Sequence, residues 1–171
     1  MPRHSPSPRP RAALNRAVKA LLALCAIGAC VLVGAHGNVT PQPVDTTGLA
    51  PLGDEWRSVN PYTGNPTAIE IGSSGFNQNC ARCHGLEAIS GGIAPDLRKL
   101  DNECAPLKDK PAREACVKDN DDYMVTTVRH GRSRNGAVYM PPFEGVLSQE
   151  AIWAIKTYLE SRREKPVADV P

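Results

Sequence analysis

Two cysteines and a histidine in the middle of the chain have the spacing of a group that holds a metal cofactor. Cys80 and Cys83 are three positions apart and His84 follows directly, which gives the pattern C-x-x-C-H. Thiols about one helical turn apart can add across the two vinyl groups of one porphyrin, and the imidazole of the next residue then lies beneath the iron. The pattern therefore indicates one covalently bound haem c, with His84 as the proximal iron ligand.

The same two cysteines also fit a redox-active C-x-x-C pair or one half of a zinc site. A thioredoxin-like pair belongs in a β-α-β context, which the sequence does not show. A zinc site needs a second pair at matching spacing, and the next cysteines, Cys104 and Cys116, are too far apart to form one. A haem is the interpretation that also accounts for the histidine after the second cysteine.

A six-coordinate haem iron needs a second ligand, and residues 38–171 contain two methionines and one further histidine. Met140 precedes two prolines in a predicted loop, where a rigid turn can aim its thioether, so we expect it to be the distal ligand. Met124 falls on a predicted helix and is expected in the core. His130, at the end of that helix, is an alternative ligand, and an open site is another. Ligation by His and Met raises the reduction potential and favours electron transfer over peroxide chemistry.

Composition narrows the class of protein. With 171 residues, 22% charged and 41% hydrophobic, the chain fits one domain with tails rather than an acidic disordered chain or a multi-span membrane protein. Five of the 20 basic residues and none of the 18 acidic ones precede residue 38, so residues 38–171 carry 15 basic against 18 acidic residues, a net charge of −3. This acidic body argues against nucleic-acid binding. Only 8 aromatic residues make a thin core, which a haem would fill.

Residues 1–37 have the three regions of a secretory signal peptide. A basic, proline-rich stretch is followed by sixteen uncharged apolar or small residues (20–35) and by a small-residue tripeptide that ends at Gly37. We expect cleavage after Gly37, export to the periplasm and no stable membrane insertion afterwards. An uncleaved anchor and lipidation at Cys30 are the alternatives, although sixteen residues are fewer than the roughly 20 that a spanning helix needs.

The chain before the motif divides into an arm and a helix. Residues 38–65 are rich in Pro, Gly and Thr and are predicted to form an extended arm. Trp56 and Tyr62 are expected to hold this arm against the body, with a partner contact as the alternative use of the Trp. Asn65 and the proline after it are typical of a helix start.

Segment 101–120, after the motif, is polar and holds Cys104 and Cys116. It shows no helical pattern and is predicted to be an insertion closed by a disulfide between these two cysteines. Such a bond persists in an exported protein, and closing a loop of 13 residues contributes about 3 kcal/mol. Two free thiols are the alternative.

Two helices and no strand are expected after this insertion. A short helix begins at a capping aspartate, Asp121 or the next residue, and ends before Gly131. Residues 132–147 are expected to form a loop, and Ser148 caps a last helix that reaches about residue 163. Lys156 and the basic residues after it suit the negative end of that helix. The body is therefore predicted to be all-α.

Two charged clusters lie close to Met140 in the sequence. Arg129, Arg132 and Arg134 are candidates to neutralise haem propionates or to meet an acidic partner, and a solvated basic face is the alternative. The acidic run 119–122 lacks the glycine and the closing glutamate of a calcium loop. We expect it to cap a helix and to face solvent.

The ordered set of motifs resembles a class I c-type cytochrome. In that family a glycine and an aromatic residue, here Gly72 and Phe76, let the first helix cross the last, and a proline carbonyl, here Pro95, accepts the second N–H of the proximal imidazole. The resemblance covers about residues 66–163. It implies a cytochrome c fold over 66–165, with helices wrapped around one haem, followed by a tail at 166–171.

A narrower resemblance points to a role. The stretches Asn60–Pro66, Phe76–Pro95 and Asn135–Leu159 resemble PedF-type cytochromes c, which accompany periplasmic alcohol dehydrogenases that use pyrroloquinoline quinone. The resemblance implies a monomeric, monohaem electron carrier rather than an enzyme. Such a dehydrogenase would be the donor, and a downstream cytochrome or terminal oxidase the acceptor. A haem enzyme such as a peroxidase, or a haem subunit or sensor of a larger complex, is the alternative.

Overall fold

The computed structural model describes residues 40–164. The expected signal peptide at 1–37, Cys30 within it, and the tail at 166–171 lie outside the described residues. Within the described range the helices are α1 (Pro66–Asn79), α2 (Ala81–His84), α3 (Lys110–His130) and α4 (Gln149–Ser161). Two short 3-10 turns (Leu86–Ala88, Leu97–Lys99) and a hairpin of strands β1 (Arg132–Arg134) and β2 (Ala137–Met140) complete the elements.

The crossing of α1 and α4 forms the centre of the fold. A Cβ atom on Gly72 would lie 1.9 Å from the carbonyl oxygen of Ala154, so only glycine lets the two backbones approach this closely. Phe76 lies one turn further along α1 and is buried, with its ring centroid 5.5 Å from that of Tyr158. The crossing that the family resemblance predicted at Gly72 and Phe76 is present.

The starts of α1 and α4 confirm the capping predictions. Asn65 accepts a hydrogen bond from the N–H of Ala68 through its side chain, and a proline occupies the first turn of α1. The hydroxyl of Ser148 accepts from the N–H of Ala151 at the start of α4. This last helix ends at Ser161, about half a turn earlier than predicted.

Helix α3 is much longer than the short helix predicted from the capping aspartate at 121 or 122. It begins at Lys110, where the carboxylate of Asp109 accepts from the N–H of Ala112 and a proline occupies the first turn. Residues 110–120, just over half of the segment 101–120, are therefore helical. The predicted end is confirmed, because Gly131 closes the helix with a φ of 69° and donates its N–H to Thr127.

A β-hairpin replaces most of the loop predicted at 132–147, so the body is mainly helical rather than all-α. Strands β1 and β2 are antiparallel and are joined by Asn135 and Gly136, with φ angles of 52° and 78°. Positive φ at both turn residues suits an Asn-Gly pair and matches the right-handed twist of the strands. Apart from Met140, which is half-buried, every residue of the two strands is exposed.

Residues 40–65 of the arm contain turns and bends but no helix or strand, and hydrogen bonds fix the arm to α4. The backbone N–H of Leu52 donates to the carboxylate of Glu150, and the N–H of Arg57 donates to the side chain of Gln149. Tyr62 is buried and Trp56 is half-buried against the core, which confirms the packing expected of these two aromatic residues. No helix in the described part of the chain is both long and apolar enough to cross a membrane.

Candidate haem site

A cavity of about 410 Å³ lies beside the C-x-x-C-H motif. Its walls come from the motif, from the following loop and from α3, the hairpin and α4, and they are mostly apolar. Those apolar side chains include Leu97, Leu100, Val128, Phe143, Ile152, Ile155 and Leu159. A large, flat, apolar group suits such a space, because the side chains of this chain do not fill it.

The motif lies on one helical turn at the end of α1. Cys80 closes α1 by donating its N–H to Phe76, and its own carbonyl accepts from the N–H groups of Cys83 and His84, at 3.1 and 3.0 Å. Both thiols and the imidazole therefore lie next to one another on the cavity wall. Gly85 ends the turn with a φ of 80°, in a place where a Cβ would lie 1.9 Å from a backbone oxygen.

The imidazole of His84 is oriented by the backbone. Its Nδ1 lies 2.9 Å from the carbonyl oxygen of Pro95, the contact that the family resemblance predicted. Because a carbonyl only accepts hydrogen bonds, Nδ1 carries the proton and Nε2 keeps a free lone pair. A hydrogen bond of this kind fixes the orientation of the ring and leaves the other nitrogen available to a metal.

The thiol of Cys80 does not have the character of a redox-active thiol. Burial in the apolar wall raises its pKa to about 12, and the neighbouring Cys83 adds to the rise. Reactive C-x-x-C pairs depend on a lowered pKa, since the thiolate is the nucleophile. The raised pKa of Cys80 therefore argues against the redox-pair alternative.

Met140 and Met124 both line the cavity, and His130 does not. Met140 ends β2 and is half-buried, whereas Met124 is a core residue of α3, as expected. The side chain of His130 is mostly exposed and lies 3.4 Å from Glu144, so the structure does not bring this alternative ligand to the cavity.

Close contacts between the ends of α3 and β2 hold Met140 in place. A Cβ on Gly131 would lie 2.4 Å from the carbonyl oxygen of Met140. After the two prolines, the N–H of Phe143 donates to the carbonyl of Val128 at 3.0 Å, so the loop is tied to the last turns of α3.

The structure joins Cys104 and Cys116 in a disulfide, with their Cα atoms 5.7 Å apart. Cys104 is fully buried and packs with Val117 in a small separate cluster, and the bond ties the segment before α3 to that helix. Cys80 and Cys83 are the free cysteines of the described chain. The two thiols of the motif are thus separate from the disulfide.

The structure contains a buried ion cluster that no sequence pattern indicated. The amine of Lys156 is fully buried and lies 2.7 Å from Asp121 and 3.3 Å from Asp101. The expectation that Asp121 caps a helix and faces solvent is wrong, because its side chain is 1% exposed. Glu160 and Arg163 complete the cluster. Within residues 40–164 no group of three or more His, Cys, Asp and Glu side chains is arranged to hold a metal ion.

A mainly helical fold with C-x-x-C-H on one turn, an imidazole held by a proline carbonyl and an apolar cavity defines a c-type cytochrome. The sequence profile of the family described as cytochrome C oxidase, cbb3-type, subunit III matches residues 67–159. Over 151 residues the chain is 48% identical to cytochrome c550 of Pseudomonas aeruginosa, an alignment that covers 86% of this chain and 94% of the relative. The chain belongs to the cytochrome c family, and it is an electron-transfer protein with covalently attached haem c.

Two longer relatives match over shorter stretches. Quinohemoprotein alcohol dehydrogenase ADH-IIG of Pseudomonas putida is 50% identical over 44 residues, which are 25% of this chain and 6% of the relative. Quinohemoprotein alcohol dehydrogenase ADH IIB, from the same species, is 28% identical over 106 residues, 62% of this chain and 13% of the relative. No solved structure matches the chain significantly.

Proposed function

We propose that Cys80 and Cys83 would hold the haem by thioether bonds and that His84 and Met140 would be the protein ligands of its iron. The placement of all four residues on the wall of one cavity supports this ligand set. The orientation of His84 by Pro95 supports it further, because the ring nitrogen left free is the one that a metal would take. When bound, the haem supplies an iron that gains and loses one electron.

The residues around the cavity adapt the site to electron transfer rather than to chemistry on a substrate. Apolar side chains from α3 and α4 exclude water from the cavity. The surroundings therefore rearrange little when the charge of a bound group changes by one electron. The contacts around Gly131 and Phe143 fix the backbone of Met140 at the end of β2. A thioether held in this way closes the iron to external ligands.

The donor we propose is a periplasmic alcohol dehydrogenase that uses pyrroloquinoline quinone. The local similarity to two quinohemoprotein alcohol dehydrogenases carries this proposal. Their names combine a quinone, a haem and alcohol oxidation, yet this chain matches at most 13% of their length. We infer that the matched part is their haem-binding portion and that here the same portion is a separate carrier. It passes single electrons on to a downstream cytochrome or terminal oxidase.

The periplasm is the proposed location. The sequence pattern of residues 1–37 supports export. The disulfide between Cys104 and Cys116 supports it independently, because such bonds persist in oxidising compartments and are rare in the cytosol.

The test mixes the oxidised holoprotein in a stopped-flow instrument with a dehydrogenase that uses pyrroloquinoline quinone, with and without its alcohol. We expect rapid reduction of the haem only when alcohol is present, with two carrier molecules reduced per alcohol oxidised. The far-red band of methionine-ligated ferric haem is recorded beforehand. Failure of reduction in a protein that shows this band would discard the dehydrogenase and retain the electron carrier.

A haem subunit of a larger complex is the second candidate, and the description of the matching family, which names an oxidase subunit, favours it. Size-exclusion chromatography of the native protein separates the two. A monomeric elution volume supports the free carrier, and stable co-elution with larger proteins supports the subunit.

A further inference from the structure

The mouth of the cavity carries a positive charge on a protein whose body is negative. Arg132 is the only Lys, Arg, Asp or Glu residue that lines the cavity within residues 40–164. Arg134 follows it on the exposed strand β1, and the hairpin segment 131–140 contains no acidic residue. Residues 38–171 nevertheless carry a net charge of −3, so this positive region is local.

The arginines of the hairpin are not neutralised by the protein. Neither Arg132 nor Arg134 forms an ion pair with any carboxylate in the described part of the chain. Arg129, one turn before the hairpin, shows the contrast, because its guanidinium donates to Glu144 and lies 4.3 Å from the ring centroid of Trp56. The guanidinium of Arg132 instead lies 4.8 Å from the ring centroid of Tyr123, which holds it at the mouth.

Apolar and aromatic residues surround this charge. Ile93, Tyr123 and Tyr139 line the cavity although they are 81%, 55% and 68% exposed, so they mark its mouth. Large apolar side chains this exposed are typical of interaction sites when they cluster and are bordered by charge. Weak redox encounters use small interfaces, for which a patch of this kind is sufficient.

We propose that the hairpin, with Arg132, Arg134 and Tyr139, is the docking surface through which the protein exchanges electrons, and that its partner presents an acidic surface with an apolar centre. The two arginines steer an acidic partner to the mouth, where the path between the partner and the cavity is shortest. This inference rests on the electron-carrier function and commits to no particular donor.

Two inorganic oxidants of opposite charge test the local field on the reduced holoprotein. In each encounter one electron passes from the reduced protein to hexacyanoferrate(III), a trianion that becomes hexacyanoferrate(II), or to tris(phenanthroline)cobalt(III), a trication that becomes the cobalt(II) complex. Because charges further than about 10 Å away are screened at 0.1 M salt, rates above this ionic strength report on the mouth rather than on the net charge.

We expect the rate with hexacyanoferrate(III) to fall as salt is raised and the rate with the cobalt complex to rise. If the net charge of −3 acted without a positive mouth, the rate with hexacyanoferrate(III) would rise with salt and the rate with the cobalt complex would fall. In the variant with Arg132→Glu and Arg134→Glu, the slopes should invert and the hexacyanoferrate(III) rate should drop about tenfold. The Gln variants at the same positions keep the test valid if charge reversal disturbs the hairpin, and they should flatten both slopes.

The matched control makes the same charge change elsewhere, with Lys108→Glu and Lys110→Glu. Lys110 begins α3 and is about 20 Å along the helix axis from Tyr123. The control should leave both slopes as in the wild type. Slopes that change equally in both double variants would overturn the proposal. The proposal would also be overturned if the hairpin variants kept the wild-type salt dependence of both rates but had a lowered midpoint potential. The arginines would then neutralise haem propionates rather than steer a partner.

The dehydrogenase of the proposed function provides the test with a protein partner. If it reduces the wild type, the hairpin variants should be reduced about tenfold more slowly and the lysine control normally. Equal rates in all three would overturn docking at the hairpin. If the dehydrogenase does not reduce the wild type, the proposed donor is wrong, and the inorganic oxidants still decide whether the mouth is positive.

Discussion

The carbonyl oxygen of Ala154 occupies the position that a side chain on Gly72 would need. A Cβ on Gly72 would lie 1.9 Å from this oxygen and 2.5 Å from its carbon, so α1 and α4 are in backbone contact. The motif ends α1, and Ile152 and Ile155 of α4 line the cavity. The crossing therefore sets the distance between Cys80 and Cys83, the proposed attachment residues, and the far wall of the cavity.

Replacing Gly72 by Ala is expected to separate α1 from α4 and to lower the free energy of unfolding by about 3 kcal/mol. The clash is with backbone atoms, which cannot rotate away. Gly75→Ala is the matched control in the same helix. Its Cβ would meet side-chain atoms of Val44 and Ile155 at 3.1–3.4 Å, and the gain in helix propensity offsets this crowding to within about 1 kcal/mol. Urea denaturation of the two holoproteins measures the difference, and equal stabilities would contradict the argument.

Local signals explain why much of the site was predictable from sequence. The side chains of Asn65 and Ser148 each accept a hydrogen bond from a free N–H group at a helix start, and a proline follows Asn65 in the first turn. These signals depend on only a few neighbouring residues. The C-x-x-C-H spacing is also local, since one helical turn brings the three side chains together. The contact between His84 and Pro95 followed from the family resemblance and from no property of the residues between them.

The hairpin was missed because its strands do not alternate between apolar and polar residues. Both faces of β1 and β2 are exposed apart from Met140, so no buried face imposes a period of two. The Asn135-Gly136 turn was the available signal. The early start of α3 was also missed. Asp109, followed closely by a proline, marked it, but the first half of the helix is mostly exposed and buries only Arg113 and Val117, so it shows no apolar stripe.

The buried ion cluster is a tertiary feature that no local pattern predicts. Lys156 lies on α4 between residues that face the core. Its charge is compatible with burial because three carboxylates contact its amine: Glu160 one turn later on α4, Asp121 on α3, and Asp101 before α3. From the sequence, a lysine near the end of a helix is expected on the surface. Its burial depends on partners up to 55 residues away.

Two carboxylates that contact the amine of Lys156 have pKa values that move in opposite directions. Burial raises the pKa of Asp121 and outweighs the charge of Lys156. Burial also opposes the ionisation of Asp101, but there the charges of Lys156 and Arg163 outweigh it and lower the pKa. The cluster holds three carboxylates and two cations, and Asp121 is the carboxylate that has no contact with Arg163.

Asparagine at each of these positions is expected to change stability with opposite dependence on pH. Asp101, with its lowered pKa, stabilises the fold above its unfolded pKa of 3.8 and loses this contribution as the pH falls through the folded value. Asp101→Asn should therefore cost about 2 kcal/mol at pH 7 and less in acid. Asp121 has a raised pKa, so its contribution is lost as the pH rises through the folded value. The stability of Asp121→Asn relative to the wild type should therefore increase as the pH rises through the folded pKa of Asp121.

Urea denaturation of the wild type and both Asn variants between about pH 3 and pH 7 measures these trends. Each Asn variant is the other's control for the loss of one buried charge beside Lys156. Differences from the wild type that stay constant across this range in both variants would show that neither carboxylate has a shifted pKa.

The disulfide is expected to stabilise the fold without affecting the haem. Replacing Cys104 and Cys116 together by Ala should lower the free energy of unfolding by about 3 kcal/mol, the loop-closure value for this spacing. The absorption spectrum should not change, because the free cysteines of the motif are separate from this pair. As a control, a reductant that opens the disulfide should abolish the difference between wild type and variant. An altered haem spectrum would contradict the separation.

Met140→Ala is expected to remove the distal ligand. The oxidised variant should lose the far-red band, become partly high-spin and bind cyanide or imidazole faster than the wild type, because the sixth position is open. The midpoint potential should fall as the thioether is lost. Absorption spectroscopy with a redox titration measures all of these changes on the holoprotein.

Met124→Leu is the matched control, because Met124 lines the same cavity from α3 and is almost fully buried. Leucine keeps its volume and apolar character but removes the sulfur, so the variant should retain the far-red band, and its stability should change by less than about 1.5 kcal/mol. Loss of the band in Met124→Leu and its retention in Met140→Ala would assign the distal ligand to Met124. The hairpin would then position no ligand, and the contact between Gly131 and Met140 would serve only the shape of the cavity mouth.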